Sequence, residues 1–169
     1  ANFKDIKLIN KYKSLKNLNF IEFPKQGFKE LENIIKKINK LGGGILLIDY
    51  GYFVSNNSNT LQSVKKHKIN DMFENLGKAD ITSLVNFNLL KEFFVMKKLK
   101  TKKIVTQKFF LEKMGIIDRA NILSNKMSFS EQTNLYSRLK RLLDEKMMGK
   151  LFKVIFAYKF DKNNFLGFK

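Results

Sequence analysis

The side chains best suited to binding and acid–base chemistry gather between positions 49 and 83. Asp49-Tyr50-Gly51 closes a short apolar run, and the stretch behind it carries Gln62, His67, Asp71, Glu74, Asp80 and Thr82. Carboxylates and an imidazole in one long loop are groups that hold ligands and move protons. The chemistry is bounded by what is missing: with no cysteine and one histidine, disulfides, thiolate nucleophiles and thiolate metal sites are excluded. A protein-made zinc site is not expected, and no metal ligand is assigned.

Elements must position these residues, and the spacing of apolar side chains predicts several of them. Phe28, Leu31, Ile34, Ile35, Ile38 and Leu41 recur at intervals of three and four, which predicts an amphipathic helix over 26–41 stopped by Gly42. Ile45 to Ile48 is a continuous apolar run, the pattern of a strand buried on both faces of a parallel sheet. A helix feeding such a strand is the unit of open α/β folds, whose ligands bind beyond the carboxyl ends of the strands. Asp49, Tyr50 and Gly51 sit at such an end.

Residues 52–83 read as a long irregular excursion, and loops of that length in a compact domain are commonly functional. Leu18 to Phe23, before the single proline Pro24, reads as a short strand or an extended lead-in. Asn86 is placed to cap a helix running to about Leu99, and Thr106 one over 107–114, after a short strand at 103–106. Ser128 and Glu131 have capping-box spacing for a helix reaching about Met147, and Leu151 to Tyr158 reads as a final strand.

The 169 residues suffice for one domain with a sizeable core, and no apolar run approaches the roughly 20 residues of a membrane-crossing helix. A formal charge of +18 raises nucleic acid as a partner. Yet the arginines are Arg119, Arg138 and Arg141, so 30 of the 33 basic residues are lysine, among abundant Asn, Ile and Phe. A/T-biased coding accounts for that charge better than nucleic-acid binding does. The chain opens on Ala1, the start expected of a processed or partial product.

Five ordered segments carry a resemblance: GGGILLIDYGY (42–52), NTLQSVKKHK (59–68), ENLGKADIT (74–82), TQKFFLEKMGIIDRA (106–120) and MGKLFKVIFA (148–157). Together they resemble the C-terminal part of the MidA-like methyltransferases, a family that includes the mitochondrial complex I assembly factor acting on a protein arginine. The resemblance implies an α/β, Rossmann-like class I methyltransferase fold, with a partial sheet whose last strands are antiparallel. It implies a single domain over 1–169, with a helical insertion at 107–147 between the last two strands. It also implies S-adenosylmethionine as cofactor and a protein substrate, with a respiratory complex I subunit as a candidate. The location would be a bacterial cytoplasm or, alternatively, the mitochondrial matrix.

On that resemblance Asp49, Tyr50 and His67 are the catalytic candidates, and Gly51, Gln62, Asp80, Thr82 and Gln107 the substrate-binding ones. Transfer to a guanidinium nitrogen asks mainly for carboxylates that orient the nucleophile and hold its charge, a task open to Asp49. The family's glycine-rich loop after its first strand has no counterpart here, because Gly42–Gly44 precede a strand instead of following one. No cofactor-binding residue is therefore assigned to this chain, and an isolated segment is expected to be inactive. The family's usual residues are replaced at Asn59, Leu76, Lys78, Leu84 and Asn86; Lys78 reverses a charge and Leu84 removes a titratable group. Lacking the upstream strands, the strand at Ile45 is expected to show an unpaired edge unless another chain covers it, a homo-oligomer included. A non-catalytic interaction module and a basic nucleic-acid-binding protein are the rival readings.

Overall fold

The computed structural model describes residues 3–54, 57–66, 68–160 and 165–169. After α1 (Phe3–Ile9) and a 3-10 turn at Lys13–Leu15, helix α2 spans Lys25–Leu41. It starts directly behind Pro24 and ends where Gly42, at φ 79°, returns its N–H to Ile38 O at 2.9 Å. Phe28, Ile35 and Ile38 are buried, whereas Ile34 and Leu41 stay exposed, so the buried stripe is narrower than the apolar one.

Strand β1 (Gly44–Tyr52) follows and pairs antiparallel with the last strand, β8 (Phe152–Tyr158), from Gly44↔Tyr158 to Tyr50↔Phe152. Its end pairs parallel with β5 (Val85–Asn86) at Gly51 and Tyr52. Two-residue strands β6 (Lys100–Thr101) and β7 (Val105–Thr106) join β8 antiparallel. The order is β5-β1-β8-β6, with β7 also on β8, so the expected antiparallel last strands are present in an α/β frame.

Burial on both faces of β1 is not what the structure has. Ile45 and Leu47 pack against the core, but Leu46, Ile48 and Tyr50 on the alternate face are 43%, 42% and 43% exposed. The four-residue run is apolar on both faces, yet a layer covers one only. Leu18–Phe23 forms no ladder; it bends at Asn19 and Phe20 and leads into α2 without regular structure. The excursion after β1 is also more ordered than expected: β2 (Gln62–Lys65), β3 (Lys68–Asn70) and β4 (Asp80–Thr82) make a separate antiparallel sheet in the order β3-β2-β4.

Helix α3 (Phe87–Met96) begins as expected at Asn86, whose side chain accepts the Leu89 N–H, but stops before Leu99 because Lys98 turns to φ 66°. It supplies most of the core: Phe87 and Phe94 are 0% exposed, and Phe93 stacks on Phe28 of α2 with ring centroids 4.0 Å apart. Beyond β7, α4 (Gln107–Lys113) is capped by Thr106, α5 (Ile116–Ser124) follows Gly115, and α6 (Phe129–Leu143) carries the Ser128/Glu131 capping box. A short α7 (Met148–Leu151) leads into β8, where the sequence suggested one helix continuing to Met147. Gly149 sits there because a Cβ would lie 2.2 Å from Leu143 O.

The Ser128 hydroxyl satisfies the Glu131 N–H while the Glu131 carboxylate accepts from the Ser128 N–H at 2.8 Å. Ser128→Ala is therefore expected to cost about 1 kcal/mol. That lowers the melting temperature by roughly 2–4 °C for a domain of this size, measurable by calorimetry.

Candidate functional site

A cavity of about 640 Å³ opens between α2, α3 and the lead-in to α2, beside the middle of β1; Asp49, Tyr50 and Gly51 lie inside that strand and not at its end, because it runs on to Tyr52. Phe28, Leu31, Leu47 and Leu90 are among its apolar lining; Glu22, Asp49, Asn59 and Asn86 are polar residues on it. Strand geometry puts Asp49 here: it follows the last apolar residue of the run and shares a face with Ile45 and Leu47. Its carboxylate accepts the Tyr50 N–H at 2.8 Å, which leaves further lone pairs for a ligand.

Glu22 is the partner that sequence reasoning missed. Its two carboxylate oxygens accept the Thr60 N–H at 3.0 Å and the Thr60 hydroxyl at 2.6 Å, and the Thr60 oxygen accepts the Leu84 N–H at 2.9 Å. This chain of bonds ties the lead-in of α2 to both ends of the β2–β4 sheet. The one signal available was a lone carboxylate inside the apolar LNFIEF. Tyr52, half-buried, bonds to the Asn86 side chain. Burial pushes its phenol above the ordinary value and the Glu22 charge pushes in the same direction, with the Asn86 bond opposing.

Across the ladder from Asp49 lies Lys153, 8% exposed. Its amine donates to the Lys150 and Leu151 carbonyls and lies 5.8 Å from the Phe53 ring centroid. Burial holds that amine below the usual lysine value of 10.5, with the Lys150 charge acting in the same sense. Between the folded and unfolded values the unfolded chain binds the extra proton, so stability rises with pH there. Lys153→Met should flatten this alkaline rise, as read by denaturant titrations at a series of pH values.

The sequence-derived candidates do not all converge. Asp49 lines the cavity, and Gly51 lies just behind it, so closely packed that a Cβ would meet Val85 O at 2.3 Å and the Phe87 ring at 2.6 Å. Gln62 and Thr82 are register partners in the small sheet, directly beside the cavity-lining Leu61 and Ser83, while Asp80 pairs with Val64 and is exposed. Tyr50 points to the opposite face, where its ring lies 4.1 Å from that of Phe152, beside Lys140, Arg141 and Lys146. Gln107 is buried and donates to Leu142 O at 3.0 Å, anchoring α4 to α6 instead of facing the cavity. His67 lies outside the described residues.

A model of S-adenosyl-L-methionine-dependent methyltransferases matches residues 3–105, more than half of the chain. The chain belongs to that methyltransferase family. It is 32% identical over 124 residues to the mitochondrial protein arginine methyltransferase NDUFAF7 of Xenopus tropicalis, covering 73% of this chain and 28% of that one. The human NDUFAF7 is 30% identical over 125 residues, with 27% of its length covered. A Burkholderia thailandensis protein solved with bound S-adenosyl-homocysteine superposes with a TM-score of 0.73 at 20% identity, covering 99% of this chain and 44% of its own. A second crystal structure from that bacterium gives 0.74 at 21% identity, with 46% of its chain covered. This chain thus spans roughly a quarter of the curated relatives and under half of the solved ones.

The family's cofactor is S-adenosylmethionine, and among the described residues the strand-to-helix junctions are not built as a glycine cradle. The helices that start directly behind a strand are α3 and α4, and the side chains of Asn86 and Thr106 already occupy N–H groups of their first turns. Neither junction contains a glycine that would let a backbone approach a ligand. Among the described residues no group of His, Cys, Asp and Glu is arranged to hold a metal ion. No described helix is long and apolar enough to cross a membrane.

Proposed function

We propose that this chain forms the acceptor side of an S-adenosylmethionine-dependent protein arginine methyltransferase, with a subunit of respiratory complex I as the methylated protein. The observation that carries this reading is Asp49, which lies within β1 three residues before its end and lines a cavity shared with Glu22, in a chain of this methyltransferase family. A guanidinium is planar, permanently charged and weakly hydrated, so two carboxylates above an apolar floor suit it better than they suit a neutral acceptor. Asp49 and Glu22 bind and orient its nitrogens, and Phe20 and Phe23 at the rim keep water away from them. The cofactor cradle is supplied from outside this chain, which by itself is inactive. Arginine as acceptor rests on the names of the NDUFAF7 relatives, and their mitochondrial location favours the matrix over a bacterial cytoplasm.

The test is a chimera in which this chain replaces the matching segment of the Xenopus protein, incubated with methyl-labelled cofactor and complex I subunits. Label recovered as methylarginine is the expected result. Label on lysine or on nucleic acid would overturn the acceptor, and tight stoichiometric binding of the cofactor by the isolated chain would overturn the division of labour.

A further inference from the structure

Helix α6 buries none of its residues, although it carries Phe129, 86% exposed, and Tyr136, 43% exposed. Two cavities open along it and share Ser137 and Lys140. The first, of about 380 Å³, passes Phe129, Gln132, Thr133 and Tyr136. The second, of about 700 Å³, continues past Arg141 to Lys146, Met147 and Leu151 and ends at Tyr50, whose ring rests on Phe152. Phe129, Gln132, Thr133, Tyr136, Ser137 and Lys140 recur at intervals of three and four, so they share one face of the helix. From Phe129 to Lys140 that face is about 16 Å long on the rise of an α-helix. Apart from Tyr50, the whole groove is built from one stretch of chain, α6 and the turn through α7.

The two halves of the groove differ in chemistry. Around Phe129 and Tyr136 the lining is apolar or neutral, with no cation before Lys140. The other half gathers Lys140, Arg141 and Lys146 around Met147, Met148 and Leu151. Among the described residues no carboxylate lines either half. The acidic residues next in the chain are engaged elsewhere: Asp144 accepts the Lys146 N–H at 2.8 Å, and Glu145 pairs with Lys108 at 2.9 Å. None of the three cations forms an ion pair among the described residues. Three like charges around an apolar wall repel one another until a counter-charge arrives. An occupant bringing carboxylates is held by that charge and by covering side chains that water now wets.

The placing of the cations decides between classes of occupant. A nucleic-acid strand has a phosphate at every residue and is gripped by cations along its whole track, whereas here the Phe129 half has none. Met147 and Met148 are flexible thioethers, the side chains that mould themselves to varied peptide surfaces. A peptide with apolar anchors at helical spacing and carboxylates at one end matches both halves.

We propose that the groove along α6 is a docking site for an acidic, amphipathic segment of a partner protein. The apolar anchors of that segment pack on Phe129 and Tyr136, and its carboxylates meet Lys140, Arg141 and Lys146. Tyr50 and Asp49 point to opposite faces of β1, so the groove is separate from the Asp49 cavity. The docking site goes beyond methyl transfer and stands whichever group accepts the methyl.

The probe is a labelled peptide of about a dozen residues, with leucines at helical spacing and glutamates at one end, titrated onto this chain by fluorescence anisotropy. An unlabelled single-stranded oligonucleotide of equal charge serves as competitor. The double variant Lys140→Glu, Arg141→Glu should weaken peptide binding by about tenfold or more, while Lys126→Glu, Arg138→Glu, the same charge change outside the groove, should weaken it by less than about twofold. Phe129→Ala should weaken it by about fivefold. All five residues are exposed, so the variants should melt with the original. The proposal is overturned if the two charge pairs weaken binding alike, which would leave only bulk attraction to a chain of net charge +18. It is equally overturned if Phe129→Ala binds the peptide as tightly as the original, or if the oligonucleotide displaces the peptide from the groove, which would make nucleic acid the occupant.

Discussion

Asp49→Asn in the chimeric enzyme is expected to lower kcat/KM for arginine methylation by about 10²–10³, the loss seen when one group that stabilises reacting charge is removed. The amide is nearly isosteric and its oxygen still accepts the Tyr50 N–H, so local backbone geometry survives. What disappears is the negative charge beside the guanidinium. Asp49 is exposed, so stability should move by no more than about 0.5 kcal/mol. Activity assays paired with thermal melts separate the two effects. A loss of activity matched by a loss of folding would make Asp49 a structural residue of β1 and nothing more. Glu22→Gln gives the contrasting pattern, because both its oxygens hold Thr60; stability and activity should fall together.

The largest loss of stability should come from Phe87→Ala. Phe87 is 0% exposed, starts α3, lines the cavity and rests against Gly51, so its removal deletes a full aromatic and leaves a void that two backbone segments cannot collapse to fill. The expected cost is about 3–5 kcal/mol. At roughly 2–4 °C per kcal/mol for a domain of this length, the melting temperature falls by about 6–20 °C. Gly51→Ala is damaging for the reciprocal reason, since its Cβ would collide with the Phe87 ring and with Val85 O. In the Phe87→Ala background the ring clash is gone while the carbonyl at 2.3 Å stays, so the added cost of Gly51→Ala should shrink without vanishing. Full additivity in a double-mutant cycle would contradict the packing described.

Helices were legible where the signal is local. The spacing of Phe28, Ile35 and Ile38 marked α2, and Asn86, Thr106 and Ser128 each cap the helix that their side-chain chemistry indicated. All of these are relations between residues at most a few turns apart. The small sheet was not legible, because Gln62, Lys65, Lys68 and Asp80 show no apolar alternation; their strands exist through cross-strand bonds such as Gln62↔Thr82, 20 residues apart. Gln107 misled for a related reason: a polar residue in the first turn of a helix usually faces water or a ligand, but α6 folds over it and takes its amide.

The candidate site divides in the same way. Its family was carried by five ordered segments and the place of Asp49 by the apolar run before it, both matters of residue order along the chain. Glu22 joined the site only in three dimensions, across the 38 residues that separate it from Thr60. Tyr50, adjacent to Asp49 in sequence, left it because successive side chains of a strand point to opposite faces. The apolar run Ile45–Ile48 said that both faces of β1 seek cover. Which face finds it within this chain, and which edge stays open, was decided by the layers that tertiary structure places around the strand, a choice that no local pattern encodes.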